Sequence, residues 1–256
     1  MFTTNQHIFL YIPLALYGIA LGIIISGTFK SGRFVSLLVA CGCLIHLFYL
    51  LGRGWISGIF FANLMVDGPY LVPLVMALSV FLLPQKAHHQ RGILLAGEVL
   101  FSLILLFYSR GFIPPTPQKL GILPVLFFLT ENMAHGFFYG GALLAVFTFW
   151  RDRTSLSEGG APFHRFILWG LVLFTMSQII GAVWCFVGWG ATFHWSPRHL
   201  MTSGIWILYA NYIHLHYLDG FNLKIRSLYA MVSGALVAVL SYSHVLHEMQ
   251  FPRIGG

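Results

Sequence analysis

Eight stretches of this chain run almost without charge, at roughly 8–27, 34–52, 68–84, 92–108, 130–150, 166–186, 203–218 and 228–247. Each is close to the ~20 residues that an α-helix needs to cross the hydrocarbon of a bilayer. In hydrocarbon every backbone N–H and C=O must be satisfied within the protein, which leaves helices or closed barrels, and apolar runs of this length specify helices. The expected fold is therefore all-α: a polytopic membrane helix bundle of about eight transmembrane helices, one membrane domain over residues 1–256. Charge scarcity points the same way. Only 8% of residues are charged, against about 25% in soluble domains, too few to clothe a water-exposed surface. The first stretch has no basic segment before it and no small-residue cleavage site after it, so it is expected to be a retained helix.

Basic residues set the expected orientation through the positive-inside bias. One set of loops holds Lys30, Arg33, Lys86, Arg91, Arg151, Arg153, Arg165, Lys224 and Arg226; the other holds Arg53, Arg110, Lys119, Arg198 and Arg253. Nine against five places the first set in the cytoplasm and both termini on the extracytoplasmic side. The high pI of about 9.5 comes from these scattered loop residues, not from a basic face, so nucleic acid is not an expected partner and the lipid bilayer is. Between Leu120 and Trp150 the chain is apolar for longer than one crossing needs, with Pro124, Glu131 and Asn132 interrupting it. An interfacial segment that turns into the true span near Thr130 is expected there.

The connection between the sixth and seventh spans is unusual. Apolar spans are commonly joined by small polar turns, yet here Trp184, Trp189 and Trp195 crowd a loop at about 184–200, with Phe193, Pro197 and Arg198 among them. An interfacial aromatic belt is the plain explanation. The clustering in one loop also makes a shelf suited to a large, flat ligand with anionic edges, and heme has that chemistry. Histidines supply the other half of the pattern. His46 lies inside the second span and His214 inside the seventh, where an unpaired imidazole is costly. His135 starts the fifth span and His247 ends the eighth, both at the depth of the tryptophan loop. His7, His88, His89 and His164 fall in terminal or loop regions and read as solvated. Singly, each buried histidine is an interhelical hydrogen-bonding group; jointly, two imidazoles from different helices can hold heme iron from opposite sides.

The chain resembles the cytochrome c assembly family of heme-handling membrane proteins, of the CcsA type with CcmC as a cousin. Trp184, Trp189, Gly190, Trp195 and Pro197 follow that family's tryptophan-rich loop, and Trp206, Ala210, Tyr212 and His214 the helix after it. The run from His46 to Arg53, followed by Ser57, Gly58 and Asn63, resembles the family's early histidine helix. The proline-rich 113–124 stretch leading to His135, and the ending at His247, resemble the segments flanking the loop. The resemblance implies non-covalent heme b, one or two per chain, in the cytoplasmic (inner) membrane. It implies His46 and His214 as iron ligands within the membrane and His135 and His247 as ligands beside the loop. His244 stands as a rival to His247, and His216 lies close to His214. The implied function is presentation of heme at the outer loop for attachment to apocytochrome c, as a component of a holocytochrome c synthase working with a CcsB-type membrane partner.

Two features bear on that reading. The family's loop usually reads Trp-Asp-Pro-Lys-Glu, whereas this chain has Trp195-Ser-Pro-Arg-His199, moving the formal charge from about −1 to +1. Arg198 would then meet a heme propionate. The alternative function is a b-type cytochrome subunit of a membrane electron-transfer complex derived from this family, passing electrons to an outer cytochrome. Depth is the second feature: at ~1.5 Å per residue, His46 lies about 20 Å from the inner end of its span and His214 about 10 Å from that of its own. Among the remaining residues, Cys41 and Cys43 read as small core residues and no Cys-X-X-Cys-His is present. Glu98 reads equally as a proton-relay or a packing group, Arg53 as reaching headgroups or a propionate, and Gly136, Gly140 and Gly141 as points of close helix contact.

Overall fold

The computed structural model describes residues 8–27, 32–106, 121–150, 161–193, 195–218 and 220–250, and side chains no further than Ser241. Among these residues eight α-helices follow one another: α1 Ile8–Ser26, α2 Gly32–Ile56, α3 Leu64–Ser79 (extended by a 3₁₀ turn, Val80–Leu82), α4 His88–Leu106, α5 Ile122–Trp150, α6 Pro162–Trp189, α7 Pro197–His214 and α8 Leu223–Gln250. No strand occurs among the described residues. Seven of the helices are long and apolar enough to cross a membrane; α7 falls short in apolarity. This is a multi-pass helical bundle, as the eight uncharged stretches led one to expect.

The bundle has two halves. Helices α1 to α4 pack on one another, α5 to α8 do the same, and α3 and α4 lean on α5 to join them. Side-chain contacts show that the chain alternates between two ends. At one end, Arg91 donates to Ser36 Oγ at 2.8 Å, and His164 stacks on His216 with ring centres 4.8 Å apart. At the other, Arg53 meets Asp67 at 2.6 Å and Arg198 meets Glu131 at 2.8 Å. Arg91 thus lies at one end, and Arg53 and Arg198 at the other. Lys30, Arg110, Lys119, Arg151, Arg153 and Arg253, most of the proline-rich stretch, and both chain ends lie outside the described residues.

One expectation is overturned in α5. Among the described residues no break separates an interfacial segment from the fifth span near Thr130; a single helix of 29 residues runs from Ile122 to Trp150, about 43 Å at the helical rise. Pro124 is tolerated because it sits in the first turn, where its missing N–H has no helical partner to lose. The polar residues do not break the helix because each is answered. Asn132 Nδ2 donates to Phe128 O at 2.7 Å, and Glu131 takes the ion pair with Arg198. Starting the helix eight residues earlier than expected also moves His135 from the beginning of the span to its middle, about 20 Å from the N-terminus of α5.

Two other polar residues now have definite surroundings. Arg53 turns inward to a buried partner rather than lying exposed at the helix end. Its side chain is 2% exposed and its partner Asp67 4%, with the guanidinium also 5.0 Å above the Tyr70 ring. Such a pair is tolerated in an apolar interior because each ion answers the other. Glu98 is fully enclosed and accepts from Ser102 Oγ at 2.6 Å. Gly136 lets α5 approach α3 closely: a Cβ there would stand 2.7 Å from Val75 Cγ1, the kind of contact through which small residues join membrane helices.

Candidate functional site

Helix α6 ends because Gly190 takes a left-handed conformation, φ +73°, and returns its N–H to Phe186 O at 2.9 Å, a glycine stop that other residues would strain. A short connection follows. Ser196 then caps α7 by accepting the His199 N–H at 3.3 Å, and Pro197 occupies the first helical position, where its fixed φ suits the helix. The stop and the cap together hold the tryptophan segment over the end of α5.

Beneath that segment, α5, α6 and α7 enclose an open, mainly apolar cavity of about 670 Å³, within the ~300–1,000 Å³ usual for cofactor and small-molecule sites. Phe127 and Phe128 come from α5, Trp184 and Trp189 from α6, Phe193 from the connection and Trp206 from α7. The Trp184 ring lies 6.0 Å from Phe127, 6.1 Å from Phe128 and 6.0 Å from Trp189, tilted or edge-on to each. These are separations at which aromatic rings attract. Trp206 is fixed by donating Nε1–H to Thr175 Oγ1 at 2.9 Å. Trp195 is different: it is 85% exposed, stands edge-on to Phe193 at 5.4 Å and does not line the cavity.

Arg198 sits at the cavity rim. It pairs with the buried Glu131 and lies 5.1 Å over the Phe128 ring, so one of its tasks is to give that carboxylate a counter-ion. Its side chain remains 49% exposed, and a guanidinium has five donors, more than this pair occupies.

The four predicted histidines occupy separate places. His46 is fully enclosed, with Tyr17 and Tyr49 each 6.5 Å away between ring centres. Neither ring nitrogen makes a well-formed hydrogen bond. His214 is the last residue of α7 and is exposed, its Nδ1 2.8 Å from Ala210 O. The two lie in different halves of the bundle and at different depths. His135 stacks on Tyr139 at 6.0 Å and touches Phe174 at 5.9 Å, and its buried Nε2 has no hydrogen-bond partner. It falls within the electrostatic reach of Glu131 and Arg198 but does not line the cavity. His244 and His247 belong to α8, beyond the residues whose side chains are described. Among the described residues no group of three or more His, Cys, Asp and Glu side chains converges to hold a bare metal ion.

The cavity does have a histidine, and it is His199. Its Nε2 lies 3.4 Å from Cys185 Sγ and its Nδ1 2.8 Å from Ser196 Oγ, and both His199 and Cys185 line the cavity. In the sequence His199 stood out only as a departure of the loop, and Cys185 had no assigned role. A usable signal was present: Arg198, Thr202 and Trp206 follow at steps of four, as do His199 and Ser203, which puts them on one face of α7.

Fold and site together define a multi-pass membrane bundle with an aromatic, partly polar cavity at one end. No family model matches the chain. Part of it is similar to cytochrome c biogenesis proteins CcsA of Prochlorococcus marinus: 37% identical over 79 residues to that of strain MIT 9312 and 34% over 79 residues to that of strain MIT 9515. The protein of strain MIT 9303 is likewise 34% identical over 79 residues. Each match takes in 31% of this chain, and the chain spans about a quarter of the length of these curated relatives.

Proposed function

We propose that this protein handles heme in cytochrome c maturation, holding non-covalent heme b at the tryptophan-end cavity and presenting it to apocytochrome c. The observation that carries the reading is that cavity: about 670 Å³, walled by Trp184, Trp189, Phe127 and Phe128, with a guanidinium at its rim. The local similarity to CcsA proteins supports the same reading. The residues suit the group in kind, since flat aromatic walls accept a porphyrin face and Arg198 accepts a propionate in a charge-assisted pair. His135, whose buried Nε2 has no partner but which lies outside the cavity lining, and His247 remain the proposed ligands beside the loop, and His46 and His214, held apart in this structure, remain separate proposed ligands within the membrane. The positive-inside bias supports placing the cavity on the extracytoplasmic face of the cytoplasmic membrane.

Heme supplies vinyl groups to which cysteine thiols can add; the chain's own work is placement. Trp184 and Trp189, inclined 59° to each other, would line the wall against a bound porphyrin, Arg198 would hold one edge, and the apolar walls would exclude water. Nothing among the described residues reduces iron or thiols, so a CcsB-type membrane partner is proposed to complete a holocytochrome c synthase.

A second reading, a b-type cytochrome subunit of an electron-transfer complex, is favoured by His46. A fully enclosed imidazole suits a resident heme better than one to be handed on. Deleting the chain's coding sequence separates the two readings. Loss of every c-type cytochrome, scored by heme staining of membrane proteins, supports maturation; loss of one respiratory activity with c-type cytochromes intact supports the second reading.

A further inference from the structure

We propose that His199 is an axial imidazole of the tryptophan-end cavity, kept ready by Ser196 and covered by the Cys185 thiol until heme arrives. The inference rests on the reading that this cavity takes heme, and it names a ligand outside the four histidines considered above. Three contacts carry it. Ser196 Oγ receives the His199 backbone N–H at 3.3 Å and lies 2.8 Å from Nδ1, and a hydroxyl oxygen has two lone pairs with which to accept both. With Nδ1–H donating to Ser196, the lone pair of the ring is on Nε2. That atom is 3.4 Å from Cys185 Sγ, and a thiol is a weak donor that gives way to a stronger partner.

This is the arrangement by which proteins prepare a metal-binding histidine: the second ring nitrogen donates to an oxygen that sets both tautomer and ring direction. Ser196 owes its place to helix capping, so the residue that caps α7 also orients the ring. Edge-on contact with Phe193 at 5.4 Å adds a further restraint. The thiol has a definite part in this scheme. As a placeholder it competes with iron for Nε2, so its removal should leave binding intact or strengthen it.

The test titrates hemin into purified full-length protein in detergent and reads the absorption spectrum and dissociation constant. The unsubstituted protein should give an imidazole-ligated spectrum. His199→Gly should weaken binding at least about tenfold and change the spectrum, and free imidazole should restore it by filling the vacated space. Ser196→Ala, which keeps the ring but loses its orienting partner, should weaken binding by roughly tenfold, the scale of a lost outer-shell contact. Cys185→Ala should keep the original spectrum with equal or tighter binding. An unchanged spectrum in His199→Gly overturns the assignment while leaving heme in the cavity. So does a loss that imidazole cannot restore, or a Cys185→Ala spectrum altered in the same way as that of His199→Gly. Failure of the unsubstituted protein to bind hemin overturns the underlying reading, and this inference with it.

Discussion

The indoles of this protein differ in what they do, and the difference can be measured. Trp184 packs against Phe127, Phe128 and Trp189 on the cavity wall, whereas Trp195 projects outward. Trp184→Ala should weaken hemin binding by roughly tenfold, the upper end of what an aromatic pair contributes (about 1.5 kcal/mol). Trp195→Ala should leave it nearly unchanged while weakening any contact made with a partner above the loop. Parallel hemin titrations of the two variants check this, and equal losses would mean that the loop, not the wall, binds. The buried Arg53–Asp67 pair makes the second prediction at this scale. Asp67→Ala leaves an enclosed guanidinium without its counter-ion and should cost about 3–5 kcal/mol, while removing both partners should cost less than the sum of the single changes. Thermal unfolding in detergent reads both.

Among the elements, the one the sequence least prepared us for is α5. Polar residues inside an apolar run suggested a break near Thr130, yet the helix continues because Arg198 of α7 reaches across to Glu131. That contact spans 67 positions, and no local pattern reveals it. The turn between helices likewise hid the cavity's polar residues: Cys185 lies in the last turns of one helix, His199 in the first turn of the next, and only their meeting gives either a role. What was legible was whatever depends on local composition. Eight apolar stretches gave the eight helices, and Gly136, flagged as a contact point, does lie where a side chain would collide with Val75. Gly136→Leu should therefore separate α3 from α5 and cost about 1–3 kcal/mol by overpacking. A lowered midpoint of thermal unfolding with retained helical circular dichroism is the expected result; an unchanged midpoint would mean that α3 and α5 are more loosely joined than their packing indicates.

For the whole molecule, alternation of the helices puts the connection after α2 and the tryptophan segment at one end, and the connection between α3 and α4 at the other. Cysteines introduced singly at Ser57, Thr192 and Gln85, in a background without Cys41, Cys43 and Cys185, should sort accordingly. An impermeant thiol reagent should label positions 57 and 192 from the same face and position 85 only from the opposite one. If the positive-inside bias governs this chain, the first two react from outside. Labelling of 57 and 192 from opposite faces would break the alternation on which the common cavity depends.

The cavity's occupant is the centre of the account, and heme content tests it most directly. Full-length protein purified from membranes should give a pyridine hemochrome of b-type heme. Ile179→Trp, which places an indole on the exposed wall of the cavity, should purify as a folded protein with that signal lost or sharply reduced. Protein that carries no heme, or an Ile179→Trp variant with its heme content undiminished, would contradict the assignment of this cavity as the heme site.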